Sequence, residues 1–575
     1  MAHQQVFDIA AICASHGIKL AVICPGSRSA PILMGFTRHP EIKCYTITDE
    51  RSAAFIALGL AQSSQNPVAL ICTSGTAAYN FAPAVAEAFF SHVPLLVITA
   101  DRPPEWIDQL DGQTIRQENI YRSHVKSSYN FPADFNHADA IWHAQRMVNE
   151  AIIHSKALPQ GPVHINVPLR EPLYSAETSS FKYSEKLQVF KSNTAFPIID
   201  DAELKSLAEQ WHDYPHKLLV IGQLPHDKVL REAIVNFSQK HHLPVIADVI
   251  SNQHGAPELI SYQDLFLGQM PEARMQALRP DLLITIGQSL ISKNLKLFLR
   301  KHKAQAHWHV QAHLPVADTF RQLTYIIQSS PVDALKKLTA INAENTFAQQ
   351  QQNNYFNLWQ LEQRHVQKIQ DSFFELPELN ELELVKEVLS GLPEGSNLHL
   401  ANSMAVRYAN FLGMPENKSN VKVWSNRGTS GIDGCNSTCV GHALNTDELQ
   451  ILITGDMAFF YDRNAFWHNY PLNNLRIILL NNHGSLIFGL LNGPDKLPEF
   501  KEYFETHQAL EAKSLAAEFN LEYLKPENKA ELKPLLARFF SKEGKGKIFE
   551  IVSSTSTNKH IFESLKQNIK ASYES

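Results

Sequence analysis

Short, continuously apolar runs, each closed by a polar or glycine-containing turn and followed by a helix-length segment, recur along this chain. "IKLAVICPGSRSA", "IKCYTITDE", "PVALICTSGTA", "VPLLVITADRPP" and "GPVHINVPL" all fall within the first 175 residues. A strand that is apolar throughout is buried on both faces, and its natural home is a parallel sheet covered by crossover helices. The alternation returns in "KLLVIGQL", "LPVIADVIS", "PDLLITIGQSL" and "AHWHVQ", and again beyond residue 375. A chain of 575 residues is too long for one core, since about 150 residues is the usual domain. The expected fold is therefore α/β, with three doubly wound parallel-sheet domains over residues 1–180, 195–345 and 375–575. "YSAETSSFKYSEKLQVFKSNTAFP" reads as the first linker. "AENTFAQQQQNNYFNLWQLEQRHVQKIQ" reads as the second, helical toward its end.

Composition narrows the function. Hydrophobic content of 44% with 19% charged residues describes a well-packed globular protein. A net charge of −6 without a basic stripe argues against nucleic acid, whose binding rests on neutralising phosphates. No run of about 18 apolar residues and no basic leader is present, so no membrane insertion is expected, and a cytoplasmic location is. Cys13, Cys24, Cys44 and Cys72 sit within apolar runs. Cys435 and Cys439 have no second pair nearby, so all six cysteines are expected to be reduced and inert. His307, His309 and His313 have ligand-like spacing but no carboxylate or cysteine to complete a site.

Two consecutive lines carry the chemistry: "LQILITGDMAFFYDRNAFWHNYP" and "LNNLRIILLNNHGSLIFGLL". Each contains an aliphatic strand that stops abruptly, the first at Gly455-Asp456 and the second at Asn481-Asn482. In a right-handed βαβ unit both carboxyl ends emerge on one edge of the sheet, about 4.8 Å apart if adjacent. Asp456, Asn482 and a backbone carbonyl would then offer hard oxygen donors to one point, where open α/β sheets bind ligands. One acid and one amide hold Mg²⁺ weakly, so a diphosphate should complete the cage.

"GD", a helix and then "NN" resembles the metal-diphosphate motif of thiamine diphosphate enzymes, with Met457 in place of the motif's third glycine. The resemblance implies the three-domain fold of the thiamine diphosphate decarboxylases: a pyrimidine-binding domain, a central domain and a diphosphate-binding domain. It implies thiamine diphosphate with Mg²⁺ (or Mn²⁺) held by Asp456, Asn482 and the backbone oxygen of Gly484. It also implies that Glu50, in "CYTITDERSAAFIALGLA", is the catalytic glutamate. A carboxyl group bonded to the aminopyrimidine favours the imino tautomer that deprotonates the thiazolium C2 carbon. Along a strand Asp49 and Glu50 would point oppositely, so only Glu50 would face the cofactor.

"CPGSRSAP", "TADRPPEWID", "QTIRQ", "NSMAVR" and "SNRGTSGIDG" closely resemble the 2-succinyl-5-enolpyruvyl-6-hydroxy-3-cyclohexene-1-carboxylate (SEPHCHC) synthases of menaquinone biosynthesis. That family decarboxylates 2-oxoglutarate and adds the succinyl carbanion to isochorismate in a Stetter-like 1,4-addition. By resemblance Arg407 and Arg427 hold the 2-oxoglutarate part, and Ser27, Arg28, Arg102, Gln113 and Lys293 surround isochorismate. Ile432 is the wedge that bends the cofactor, Ser403 and Met404 lie beside it, and Ile487 and Phe488 form an apolar wall. Arginine suits this substrate pair because its planar fork binds carboxylates in bidentate fashion. Gly112 stands where some relatives carry an amide, and Asn294 where a second basic residue can occur. The family's sites lie between subunits, which implies a homodimer or homotetramer. The alternatives are another thiamine diphosphate lyase, such as an acetolactate synthase, or a catalytically silent cofactor-binding regulator.

Overall fold

The computed structural model describes residues 3–174, 181–193, 195–342, 346–374, 378–491 and 493–574. Among them lie three wholly parallel sheets. The first has six strands in the spatial order Lys43–Thr46, Leu20–Ile23, Val68–Cys72, Leu95–Asp101, Val163–Pro168 and Ser128–Asn130. The second has five: Tyr325–Ile327, Ala306–Val310, Leu282–Ile286, Lys217–Ile221 and Val245–Ala247. The third has six: Lys422–Trp424, Asn397–Leu400, Gln450–Gly455, Leu475–Asn481, Lys547–Val552 and Glu522–Leu524. Numbered within each sheet, the first and third share one topology, 2-1-3-4-6-5. Chain order reverses between the first and third strands of each, and that switch point is where open α/β sheets bind ligands.

The strands with the long apolar runs are the buried ones, except Lys43–Thr46, which lies at the edge of the first sheet and buries only Tyr45. Ser128–Asn130, Tyr325–Ile327, Lys422–Trp424 and Glu522–Leu524 are three-residue edge strands, too short to show as apolar runs. Helices cover both faces of the sheets. One apolar cluster runs continuously from the first sheet through the second to the third. Separate clusters fill the opposite faces of the first and second sheets. The boundaries expected at 180, 345 and 375 lie outside the described residues.

The second linker differs from expectation. Helix Thr346–Phe373 runs through nearly all of it, because Tyr355, Trp359 and Val366 recur at helical spacing and are buried. Its glutamines are structural. Gln352 accepts from Lys217 N at 2.7 Å, and Gln363 accepts from Ser261 N and Tyr262 N. In the first linker, the described residues lie against the first domain, with Phe181 stacked on Phe7 and Ser184 bonded to Asp8.

Helix Glu50–Ser64 packs directly on helix Cys435–Asn445. A Cβ on Gly59 would meet Thr438 O at 2.0 Å, and one on Gly441 would meet Ile56 O at 2.2 Å. Only glycine permits this approach, which joins the first and last sheets' layers.

Candidate active site

Strand Gln450–Gly455 lies beside strand Leu475–Asn481 in parallel register, with Gly455 opposite Leu480. The adjacency expected for the two strand ends is therefore present, between the third and fourth strands and next to the switch point of the third sheet. A cavity of about 340 Å³ opens there. It is lined by Ser403, Met404, Arg407, Arg427 and Ile432, and by Asp456, Asn482, Gly484, Ile487 and Phe488. Ten residues singled out from the sequence thus meet in one place.

The local backbone explains how. Helices Met404–Leu412 and Asp456–Tyr461 both begin at the cavity and turn their N-terminal ends, the positive ends of their dipoles, toward it. Ser403, Ser430 and His483 all have positive φ (72°, 61° and 59°), a conformation that non-glycine residues hold only under constraint.

Asp456 is buried and held from two sides: Oδ1 accepts from Met457 N at 2.9 Å and Oδ2 from Gln508 Nε2 at 2.8 Å. Burial raises its pKa, and these donors together with the Gly484 N–H oppose the rise. Asn482 donates its amide N–H to Glu381 Oε1 at 2.7 Å, while its amide oxygen is buried without a partner. Glu381 is fully buried at the same cavity, and burial pushes its pKa up to about 7. The Asn482 amide pulls that value down and the Asp456 charge adds to it. Among the described residues no three His, Cys, Asp or Glu side chains gather as a metal site. The donor set is oxygen-rich and incomplete, with one orphaned amide oxygen aimed at nothing in the protein. It fits a hard dication whose remaining ligands come from a diphosphate.

The two arginines of the cavity are unlike the others. Arg407 donates only to Ser403 O, and Arg427 to Asn402 Oδ1 at 2.7 Å. No carboxylate among the described residues lies within ion-pair distance of either. Burial lowers both pKa values, and each lies close enough to a charged neighbour, Arg427 or Asp264 for Arg407, to feel it. Guanidinium nevertheless stays charged in proteins. Asp264 acts on Arg407 from a distance and Asp248 and Glu87 on Arg427, but neither guanidinium has a carboxylate in direct contact, so both can take an anion. The Arg427 loop is fixed by Glu87 of the first domain, which is buried and accepts from Gly428 N and Thr429 N at 2.8 and 2.7 Å.

The remaining candidates lie elsewhere. Glu50 is the first residue of a helix rather than a strand end, because strand Lys43–Thr46 stops earlier. Asp49 is separated from it by a different cause than strand alternation. Asp49 caps the helix through Ser52 N and accepts from Asn464. Among the described residues the Glu50 carboxylate has no hydrogen bond. Its charge adds to the burial that holds the Cys24 and Cys72 thiols well above the ordinary range. Those cysteines mark the switch point of the first sheet. Ser27, Arg28, Arg102 and Gln113 share that sheet's carboxyl edge, Gln113 lying against Gly75. Lys293 is exposed at the start of helix Lys293–Lys301, in a cleft with Leu490 and Leu491 that adjoins the Phe488 wall. Within one chain, neither Glu50 nor these residues line the Asp456 cavity.

Sequence reasoning missed Glu381, Glu87 and Gln508. Glu381 follows the cap Asn380 and looks like any first-turn helix acid. The other two lie far in sequence from the groups they hold. His307 and His309 both bond Thr285 Oγ1, at 2.8 and 2.7 Å, as ordinary strand residues. The six cysteines are free.

Residues 6–120 match the family described as the thiamine pyrophosphate enzyme N-terminal binding domain, and residues 182–400 match that described as the middle domain of thiamine pyrophosphate. With three parallel sheets and an oxygen-lined cavity at the third, the chain is a thiamine diphosphate enzyme of the three-domain α/β class. Within that class it belongs to the SEPHCHC synthase family. A protein of that name from Cytophaga hutchinsonii is 44% identical over 99% of this chain and 100% of its own length. Those from Flavobacterium johnsoniae and Bacteroides thetaiotaomicron are 37% and 34% identical, over 98% and 99% of this chain and the same shares of their own. Among the described residues no helix is long and apolar enough to cross a membrane.

Proposed function

We propose that this chain decarboxylates 2-oxoglutarate and joins the resulting four-carbon unit to isochorismate, giving SEPHCHC and CO₂ in menaquinone biosynthesis. The observation that carries the reading is the presence, in one cavity, of an incomplete oxygen donor set and two arginines without carboxylate partners. Pyruvate brings one carboxylate and would leave one of the two half-buried guanidinium groups without a direct partner, whereas 2-oxoglutarate brings two.

When bound, thiamine diphosphate supplies a carbon nucleophile and an electron sink for decarboxylation. Asp456, Asn482 and the backbone oxygen of Gly484 hold the Mg²⁺ or Mn²⁺ that secures its diphosphate. Ser403 and Met404 present a helix N-terminus to the same group, and Ile432 supports the cofactor's body. Arg407 and Arg427 bind and orient the donor's carboxylates. Ile487 and Phe488 keep water from the reacting face. Ser27, Arg28, Arg102, Gln113 and Lys293 receive isochorismate. Glu50 would face the aminopyrimidine ring, where its carboxyl group could hold or give up a proton.

Glu50 and Asp456 sit at the switch points of different sheets, and the cavity of one chain does not include Glu50. The active unit is therefore at least a homodimer, with Glu50 of one subunit completing the Asp456 site of another; a homotetramer would pair such dimers. Six free cysteines, five of them buried, are in keeping with a cytoplasmic setting. The test is mass-spectrometric detection of product from 2-oxoglutarate and isochorismate with thiamine diphosphate and Mg²⁺. The condensed product is expected. Its absence, with both substrates unconsumed, would refute the assignment.

A further inference from the structure

The arginines assigned to isochorismate are not free in this structure. Arg28 and Arg102 converge on one oxygen, Glu171 Oε1, at 2.9 and 3.6 Å. Each guanidinium is also fixed independently of Glu171. Arg28 donates to Leu169 O at 3.1 Å; Arg102 donates to Gly112 O at 3.1 Å and pairs with Asp111 at 3.1 Å. Glu171 has the opposite character. Its side chain is 68% exposed, against 6% for Arg28, and it has no other partner among the described residues. The segment that carries it is anchored beside it, by Arg170 to Asp134 and Glu105 and by Tyr174 to Ser27 O. The fork is rigid and its occupant is loose.

The cations are compensated as well: the two guanidinium groups face the carboxylates of Glu171 and Asp111, and buried Asp101 acts on Arg28. A carboxylate substrate arriving here meets arginines that already have acids in contact, unlike one arriving at Arg407 and Arg427. The Glu171 carboxylate is solvated and touches each arginine through a single oxygen, so a ligand carboxylate that binds the fork through both oxygens can replace it.

We propose that Arg28 and Arg102 form a carboxylate subsite whose resident occupant is Glu171, displaced by a carboxylate of the acceptor substrate. This rests on the reading of the Arg28 and Arg102 edge as the acceptor side. Glu171 thereby sets how tightly the acceptor is held and spares an empty pair of cations. It touches the arginines and acts through them, as a specificity-determining residue.

Two measurements on Glu171→Gln decide the matter. In initial-rate kinetics the KM for isochorismate should fall about three- to fivefold, with the change in KM and not in kcat, while the KM for 2-oxoglutarate stays put. In calorimetric titration with malonate, a plain dicarboxylate probe, affinity should rise by a similar factor, and adding Arg28→Met should remove the gain. A higher isochorismate KM would mean that Glu171 merely holds the arginines in place, and would overturn the proposal. Unchanged malonate affinity would overturn it too. If wild-type enzyme shows no isochorismate-dependent turnover, the functional reading fails, and the titration still decides the role of Glu171.

Discussion

The Asn482 amide and the Glu381 carboxylate are 2.7 Å apart, and this contact decides which end of the amide is left for a ligand. Because Glu381 accepts the N–H, the amide oxygen on the other side of the planar group is the free one. Replacing Glu381 by Leu leaves the N–H without a buried acceptor and lets the amide turn over. An unmade buried hydrogen bond costs about 1–3 kcal/mol, so Mg²⁺-dependent thiamine diphosphate affinity should weaken about tenfold or more. Glu381→Gln keeps an acceptor and should retain most of it. Calorimetry of cofactor binding checks this, and wild-type affinity in the Leu variant would remove Glu381 from the account.

Arg407 and Arg427 line the same cavity as Asp456 and Asn482, and the proposed function gives them the substrate and not the metal. Hydrogen bonds to charged groups contribute about 1.5–3 kcal/mol, so Arg407→Met or Arg427→Met should raise the KM for 2-oxoglutarate about 10- to 150-fold. Thiamine diphosphate affinity should stay within a few-fold of wild type. Equal loss of cofactor binding would show that the arginines serve the diphosphate instead.

Glu50 and Asp456 can be tested together. Glu50→Gln should bind thiamine diphosphate yet lose about 10²–10⁴ in turnover, the usual contribution of an acid–base group. Asp456→Ala should lose metal-dependent cofactor binding. Each homo-oligomer is then inactive, but a mixed dimer regains one site that pairs the intact Glu50 with the intact Asp456. Activity returning on co-expression supports a site between chains. Mixed oligomers without activity would place both residues in one chain's site.

Asp264 accepts from Ser292 Oγ at 2.7 Å and Asn294 N at 2.8 Å, the two neighbours of Lys293. Burial pushes its pKa from 3.8 to about 6, against the pull of those donors and with Asp248 adding to the rise. The folded protein thus keeps a proton that the unfolded chain releases between about 4 and 6, so this residue's contribution to stability falls as pH rises through that window. Asp264→Asn should remove that loss, by up to about 3 kcal/mol. Its Tm relative to wild type should be higher at pH 7.5 than at pH 4.5. A pH-independent difference would mean that Asp264 is already ionised throughout.

The strand ends were the legible part of the site. Asp456 and Asn482 follow aliphatic runs whose pattern put them at one edge of a sheet, and the structure adds that the two strands are neighbours, with Gly455 opposite Leu480. Arg407 and Arg427 were read through local motifs, and they share the cavity because they follow the neighbouring strands Asn397–Leu400 and Lys422–Trp424 on one side of the switch point. What was not legible is what reaches across the chain. Glu381 lies 101 positions from Asn482, and Glu87 lies 341 from Gly428. No local period records such a pairing. Glu171 was hidden for another reason: an acid next to a proline carries no sign that two distant arginines converge on it. The polar second linker was misjudged over most of its length because buried glutamines on a helix resemble a solvated segment.

The most direct test is CO₂ release by the purified protein with thiamine diphosphate and Mg²⁺, comparing 2-oxoglutarate with pyruvate, each with and without isochorismate. The arrangement of Arg407 and Arg427 beside the metal donors predicts rapid release from 2-oxoglutarate that requires isochorismate, and little from pyruvate. Preferred turnover of pyruvate would leave the cofactor site standing and contradict the substrate assignment made from those two arginines.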